Sequence, residues 1–236
     1  MSNIVCELKN VQFTYPKSDK GVEDINIYVN EGSIVGLLGE SGCGKSTLAK
    51  CIAGLLKVDS GELNCQKLGY IFQDNYAALN PKKTVEWLFK EVIRYNDKEA
   101  LPKADLIIKE MLDEVELDET VLNHRPNELS GGQRQRVGIA MALLSNPKIL
   151  IADEPVSALD VTVQKQVIKL LQKLNKEKNL AILFISHDIK VVRDLCGYIY
   201  ILKDGKIVEE GDTEKIFDRP EEEYTRNLLD SSFLTK

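Results

Sequence analysis

Histidine, cysteine and long apolar runs are all scarce in this sequence, and each scarcity removes a class of function. The 236 residues hold two histidines and five cysteines. The cysteines, Cys6, Cys43, Cys51, Cys65 and Cys196, are odd in number, scattered, and contain no C-x-x-C pair. With only His124 and His187 to join them, neither a disulfide framework nor a zinc site is supported. They read as small buried hydrophobes of a reducing compartment. The longest apolar stretch of interest, Leu180 to Ile185, falls far short of the ~20 residues that cross a bilayer. The opening MSNIVCELKN lacks the basic start and apolar run of a secretory leader, so the expectation is a chain that stays in the cytosol. Basic excess is missing too. The 31 basic and 37 acidic side chains sum to −6, which argues against a protein whose main work is gripping nucleic acid.

What is present is an ordinary globular composition, 43% apolar and 29% charged, in a length between one large domain and two small ones. Alternation predicts strands at Ile4 to Leu8 and Ile25 to Val29, and a short apolar run predicts another at Ile34 to Leu38. From Ser46 the spacing turns helical, with Leu48, Cys51, Ile52, Leu55 and Leu56 on one face. Leu68 to Phe72 reads as a strand. Thr84 to Arg94, Ala104 to Leu117 and Arg134 to Leu144 read as helices, so the stretch from about Gln73 to Ser145 looks like a helical insert. Beyond it, the buried-type runs Ile149 to Ala152 and Ala181 to Ile185 flank a helix from Val161 to Lys178, the βαβ spacing of a parallel sheet. Tyr198 to Leu202, Asp204-Gly205 and Lys206 to Glu210 read as a hairpin, and Glu221 to Leu229 as a short helix.

The predicted strand Ile34 to Leu38 runs into Gly39-Glu40-Ser41-Gly42-Cys43-Gly44-Lys45-Ser46, with Thr47 behind, matching G-x-x-x-x-G-K-[ST]. Glycines let such a loop curl its N–H groups towards phosphate oxygens, and the helix start adds positive potential. Lys45 would neutralise the β- and γ-phosphates, and Ser46 would ligate Mg²⁺. Cys43 reads as a small filler, with a helix-activated thiol as the alternative.

Asp153 and Glu154 follow Ile149-Leu-Ile-Ala152, at the carboxyl end of a predicted parallel strand, where open α/β sheets collect ligands. Two adjacent carboxylates repel one another, so the pair argues for a bound cation. Asp153 is placed to hold Mg²⁺, and Glu154, pointing the other way along an extended chain, to face an attacking water. A second glycine turn, Leu129-Ser130-Gly131-Gly132-Gln133, opens another helix, with Ser130 as its N-cap. It has no lysine. One nucleotide needs one cradle, so the second suggests a nucleotide held by another subunit.

These residues together resemble the nucleotide-binding subunit of ATP-binding-cassette transporters, from about Tyr15 to Leu229. The motifs are the phosphate loop, Gln73, Leu129 to Gln133, Asp153-Glu154, Ser157-Ala-Leu-Asp160 and His187. The resemblance implies an α/β P-loop NTPase core with a mixed, mostly parallel sheet and an N-terminal antiparallel β-subdomain, at about residues 1–75 and 146–236. The helical subdomain insert would be about residues 76–145. It implies a head-to-tail dimer enclosing two ATPs and Mg²⁺. Each ATP would lie between Gly39 to Thr47 of one subunit and Ser130, Gly131, Gly132, Gln133 and Asp160 of the other. Tyr15 would stack on adenine, His187 would contact the γ-phosphate, and Gln73 would sense metal, water and the membrane partner. Ser46, Gln73 and Asp153 would be the metal set.

Phe72 to Pro81, Asp153 to Gln164 and Tyr224 to Leu229 resemble the branch importing peptides, nickel and metal chelates. Asn75 stands where that branch usually has proline. The end at Lys236, without a cysteine-bearing extension, tilts the expectation slightly towards the nickel or metallophore type. The implied partners are a paralogous ATPase, with a homodimer as the alternative, two membrane permeases, and an extracellular solute-binding protein. The chain would sit peripherally on the cytoplasmic face of the membrane, with Tyr76, Leu79 and Trp87 as candidates to line a groove for the permease and ordinary helix packing as the alternative for Trp87. Rival readings are a cassette ATPase acting on DNA or ribosomes, an importer ATPase for another small solute, or a simple P-loop binding protein or kinase. The first would need long heptad segments or a second cassette, and neither is present in this sequence.

Overall fold

A computed structural model describes residues 3–18, 20–73 and 78–234. Strands β1 (Ile4–Thr14) and β2 (Gly21–Asn30) pair antiparallel, and β4 (Ser60–Cys65) closes the other edge of β1. The second sheet has six strands in the order β5 (Leu68–Ile71), β6 (Ile149–Asp153), β7 (Ala181–Ser186), β3 (Ile34–Leu38), β8 (Tyr198–Lys203) and β9 (Lys206–Asp212). All its neighbours run parallel except the β8–β9 hairpin.

The central strands are apolar on both sides because the sheet divides two cores. Leu150, Ala152, Ile182, Phe184, Ile199 and Ile201 face one hydrophobic cluster, while their sequence neighbours Ile149, Ile151, Leu183, Ile185, Tyr200 and Leu202 face the other. A strand buried on both faces loses the polar half of its alternation, which is why these runs read as continuous. The first cluster continues into the helical segment through Leu79, Phe89, Ile108 and Leu143. The second joins the sheet to the three-stranded sheet and to α1 (Lys45–Ile52).

The helical segment holds α2 (Val85–Asn96), α3 (Ala104–Glu114) and α4 (Gly131–Leu143). Thr84 caps α2 by accepting the Trp87 N–H. α3 ends earlier than its apolar spacing predicts, as Glu116 turns to φ 56°, a left-handed geometry a helix cannot continue through. After it come α5 (Val161–Lys178), α6 (Ile189–Leu195), α7 (Thr213–Asp218) and α8 (Glu223–Leu234). Asn179 ends α5 in the left-handed conformation that C-terminal caps favour. The expected elements are present. β4, α6 and α7 were not foreseen. Among the described residues no helix is long and apolar enough to cross a membrane.

Candidate functional site

The phosphate-loop sequence joins the carboxyl end of β3 to α1, as its flanking patterns predict. Gly44 caps α1 at φ 116°, a backbone position that glycine adopts readily. Gly39 is required by space instead, since a Cβ there would stand 2.2 Å from the Leu202 carbonyl oxygen. Inside the loop Lys45 is 5% exposed, and its ammonium donates to the carbonyl oxygens of Gly39 at 2.7 Å and Glu40 at 2.8 Å. A buried ammonium needs such partners. The Gly205 N–H donates to the Cys43 carbonyl at 2.8 Å, so the hairpin turn braces the loop. Burial pushes the Cys43 thiol up despite the opposing Lys45 charge, which supports the filler reading rather than an activated thiol.

β6 delivers the acidic pair to the same edge. Ser46 Oγ donates to Asp153 Oδ1 at 3.1 Å, and Tyr70 OH donates to Oδ2 at 2.9 Å. Burial raises the Asp153 pKa, the two hydroxyl bonds oppose that rise, and the neighbouring Glu154 charge adds to it. Tyr70 is itself pushed up by burial and by Asp153. Glu154 does not continue the strand. It leaves at φ 47°, and its N–H donates to the Ile185 carbonyl at 2.9 Å. The extended geometry expected there is therefore wrong. Gln73 Nε2 donates to Glu154 Oε2 at 3.1 Å, and His187 Nδ1 lies 3.2 Å from Oε1. A carboxylate only accepts, so the imidazole proton facing it sits on Nδ1. The Glu154 side chain is 13% exposed and that of His187 57%.

Tyr15 stands beside the loop, its hydroxyl 3.3 Å from Thr47 Oγ1 and its ring edge-on to Phe13. Two clefts border the loop. One of about 270 Å³ touches Thr14, Val22, Gly42 and Cys43, and one of about 440 Å³ touches Ser46, Tyr70, Gln73 and Asp153.

The second glycine turn is built differently. Ser130 Oγ accepts the Gln133 N–H at 3.2 Å while Gln133 Oε1 accepts the Ser130 N–H at 3.0 Å, a reciprocal capping box. A Cβ at Gly132 would stand 2.7 Å from Val163 Cγ1, and one at Gly131 3.4 Å from Leu159. Asp160 caps α5 by accepting the Thr162 and Val163 N–H groups. The structure thus brings Gly131, Gly132 and the Asp160 cap into one neighbourhood. Among the described residues, neither cleft that borders the phosphate loop is lined by any of residues 129–133.

A further cleft of about 250 Å³ lies between the sheet edge and the helical segment, against Tyr70, Phe72, Leu79, Val92 and Met141. Leu79 lines it as expected. Trp87 does not. Its ring packs against the core beside α2 under the Lys83 ammonium, 4.4 Å away. Tyr76 and Asn75 lie outside the described residues. Sequence reasoning missed Tyr70 and the role of Tyr224, whose hydroxyl accepts the Glu40 N–H at 3.2 Å. Both contacts join residues far apart in the chain, and only the proximity of Tyr70 to Gln73 hinted at either.

The family pattern described as ABC transporter matches residues 22–157. The oligopeptide transport ATP-binding protein OppF of Lactococcus lactis subsp. lactis (strain IL1403) is 42% identical over 225 residues, covering 88% of this chain and 70% of that protein. Among solved structures, CbiO1 from Clostridium perfringens, part of the ABC transporter complex CbiONQ, superposes with a TM-score of 0.80 at 26% identity, covering 93% of this chain and 92% of that one. A dimeric ATP-binding cassette bound to ADP and Pi gives a TM-score of 0.75 at 33% identity, covering 88% and 98%. Sequence pattern, relatives and fold agree: this chain belongs to the ABC transporter family, as an ATP-binding subunit and an ATPase.

Proposed function

We propose that this ATPase drives a peptide importer by hydrolysing ATP at a site shared between two subunits. The reading rests on one arrangement. Glu154 is held between the Gln73 amide and the His187 imidazole, next to the Ser46–Asp153 pair and the buried Lys45. Lys45 is aimed to balance phosphate charge, and Glu154 to polarise the attacking water, with His187 and Gln73 fixing its carboxylate. Tyr15 supplies the face for adenine.

The donor set fits Mg²⁺. Ser46 Oγ and Asp153 Oδ1 are hard oxygens 3.1 Å apart, and the buried carboxyl is pushed towards protonation, a shift that a cation's charge would offset. Among the described residues no group of three or more His, Cys, Asp or Glu could hold a metal ion. That suits an ion completed by phosphate oxygens and waters. When bound, Mg²⁺ would neutralise charge on the transferring phosphoryl group. Ser46 and Asp153 would hold it, and Gln73 would sit beside it.

The turn at residues 129–133, with Asp160, is read as the half-site offered to the nucleotide of a paralogous partner ATPase, or of a second copy. The dimeric cassette bound to ADP and Pi supports that reading. Residues 76–145 are read as one helical unit on a core formed by about 1–75 and 146–236. The cleft at Leu79 would receive a cytoplasmic helix of one of two membrane permeases, placing the subunit peripherally on the cytoplasmic face. An extracellular binding protein would supply cargo. Peptide is favoured over nickel or metal chelates by the oligopeptide naming of relatives at about 40% identity.

Replacing Glu154→Gln and measuring phosphate release with the partner should cut turnover roughly 100-fold or more, while ATP-dependent dimerisation persists. Unchanged turnover would remove Glu154 from this role.

A further inference from the structure

We propose that Tyr224 is a positioning residue for the phosphate loop, acting through a single peptide plane. The inference rests on the reading of that loop as the ATP site. The Glu40 N–H donates to the Tyr224 hydroxyl at 3.2 Å, across 184 residues of sequence. That N–H shares its peptide unit with the Gly39 carbonyl, which accepts the Lys45 ammonium at 2.7 Å. A peptide unit is planar and stiff, so its two ends cannot reorient independently. Hydroxyl, peptide and ammonium therefore form one chain, in which each hydrogen bond polarises the next. The Glu40 carbonyl, at 2.8 Å, gives the ammonium its second fixed partner on the same residue.

Tyr224 is in turn anchored. Lys203 stands over its ring at 4.9 Å, and the ring packs against the main core. Thr225 and Leu229, on the same helix α8, are buried. At Gly39 itself the Leu202 carbonyl leaves no room for a Cβ. The Gly39–Glu40 peptide thus lies close to the end of β8 and is hydrogen-bonded by α8. Docking of α8 sets the starting position of the ammonium, and so couples the last described helix to nucleotide affinity.

The test compares Tyr224→Phe with Tyr224→Ala in the full chain. Titration calorimetry would measure ATP binding, thermal melting without nucleotide would measure stability, and hydrogen exchange would follow the Glu40 amide. The phenylalanine keeps the ring, its packing and the Lys203 contact. It should melt within about 2–4 °C of the parent chain, exchange faster at Glu40, and bind ATP roughly three- to tenfold more weakly, the size expected for one hydrogen bond. The alanine chain should bind as weakly and melt lower. Binding by the phenylalanine chain within about twofold of the parent would overturn the proposal. So would weakened binding accompanied by a melting temperature as low as the alanine chain's, because that would mark a packing role. A parent chain that binds no ATP would sink the loop reading and this inference together.

Discussion

The two glycine turns of this molecule both open helices, yet they keep their shape by different means. The turn at Gly39 to Ser46 is shaped from outside. Leu202 blocks it, Gly205 donates to it, Tyr224 holds one of its peptides, and Lys45 fills its interior. The turn at residues 129–133 is shaped from within, by the reciprocal bonds of Ser130 and Gln133 and by Arg134, which reaches back to the Pro126 and Leu129 carbonyls. A cradle serving its own subunit can lean on distant segments of that subunit. The second turn, proposed to serve a neighbour, is held mainly by hydrogen bonds among nearby residues, with Val163 and Leu159 set against its glycines.

The sharpest way to break that contrast is Gly39→Ala. The new methyl meets backbone at Leu202, which cannot swing aside. The variant should lose about 1–3 kcal/mol of stability and bind ATP at least about tenfold more weakly, read by denaturant unfolding and calorimetry. Normal binding would show that the loop is not held from outside. Ser130→Ala should cost about 1 kcal/mol through the lost cap and leave ATP binding by the lone subunit unchanged. Hydrolysis by the assembled pair should fall roughly tenfold or more. Impaired binding by the lone subunit would erase the distinction between the two turns.

The smallest effect concerns Asp153→Asn, which sharpens the picture of the inner cradle. Burial holds the folded-state carboxyl above its unfolded-state value, so the ionised form penalises the fold above the raised pKa but not below the unfolded value near ~3.9. Removing the charge should raise the melting temperature slightly at pH 7 and by less near pH 3.5, as followed by circular dichroism. The reverse order would contradict the assigned cause.

Much of this was legible because the informative signals were local. The loop's strand and helix flanks, the buried runs before Asp153 and His187, and the cap at Ser130 each lie within a few residues. β4 was not legible. Its SGELNC sequence has a glycine and no apolar alternation, and its six residues are exposed or only half-buried, so pairing with β1 rather than local pattern makes it a strand. The left-handed turn at Glu154 was hidden as well, because its N–H bonds Ile185 on a strand that the chain reaches only later. Tyr70 and Tyr224 act through side-chain contacts spanning 83 and 184 residues, which no window on the sequence can see. Trp87 packs against the main core, the alternative that an aromatic at helical spacing leaves open.

The central sheet carries one more consequence. Leu150 and Ile151 are joined by a single peptide bond, yet they stand back to back in separate clusters. Trimming the first would loosen the tissue that ties the helical segment to the strands, and trimming the second the layer beneath the phosphate loop. Adjacent letters of the sequence thus address opposite rooms of the molecule, with the sheet as their shared wall.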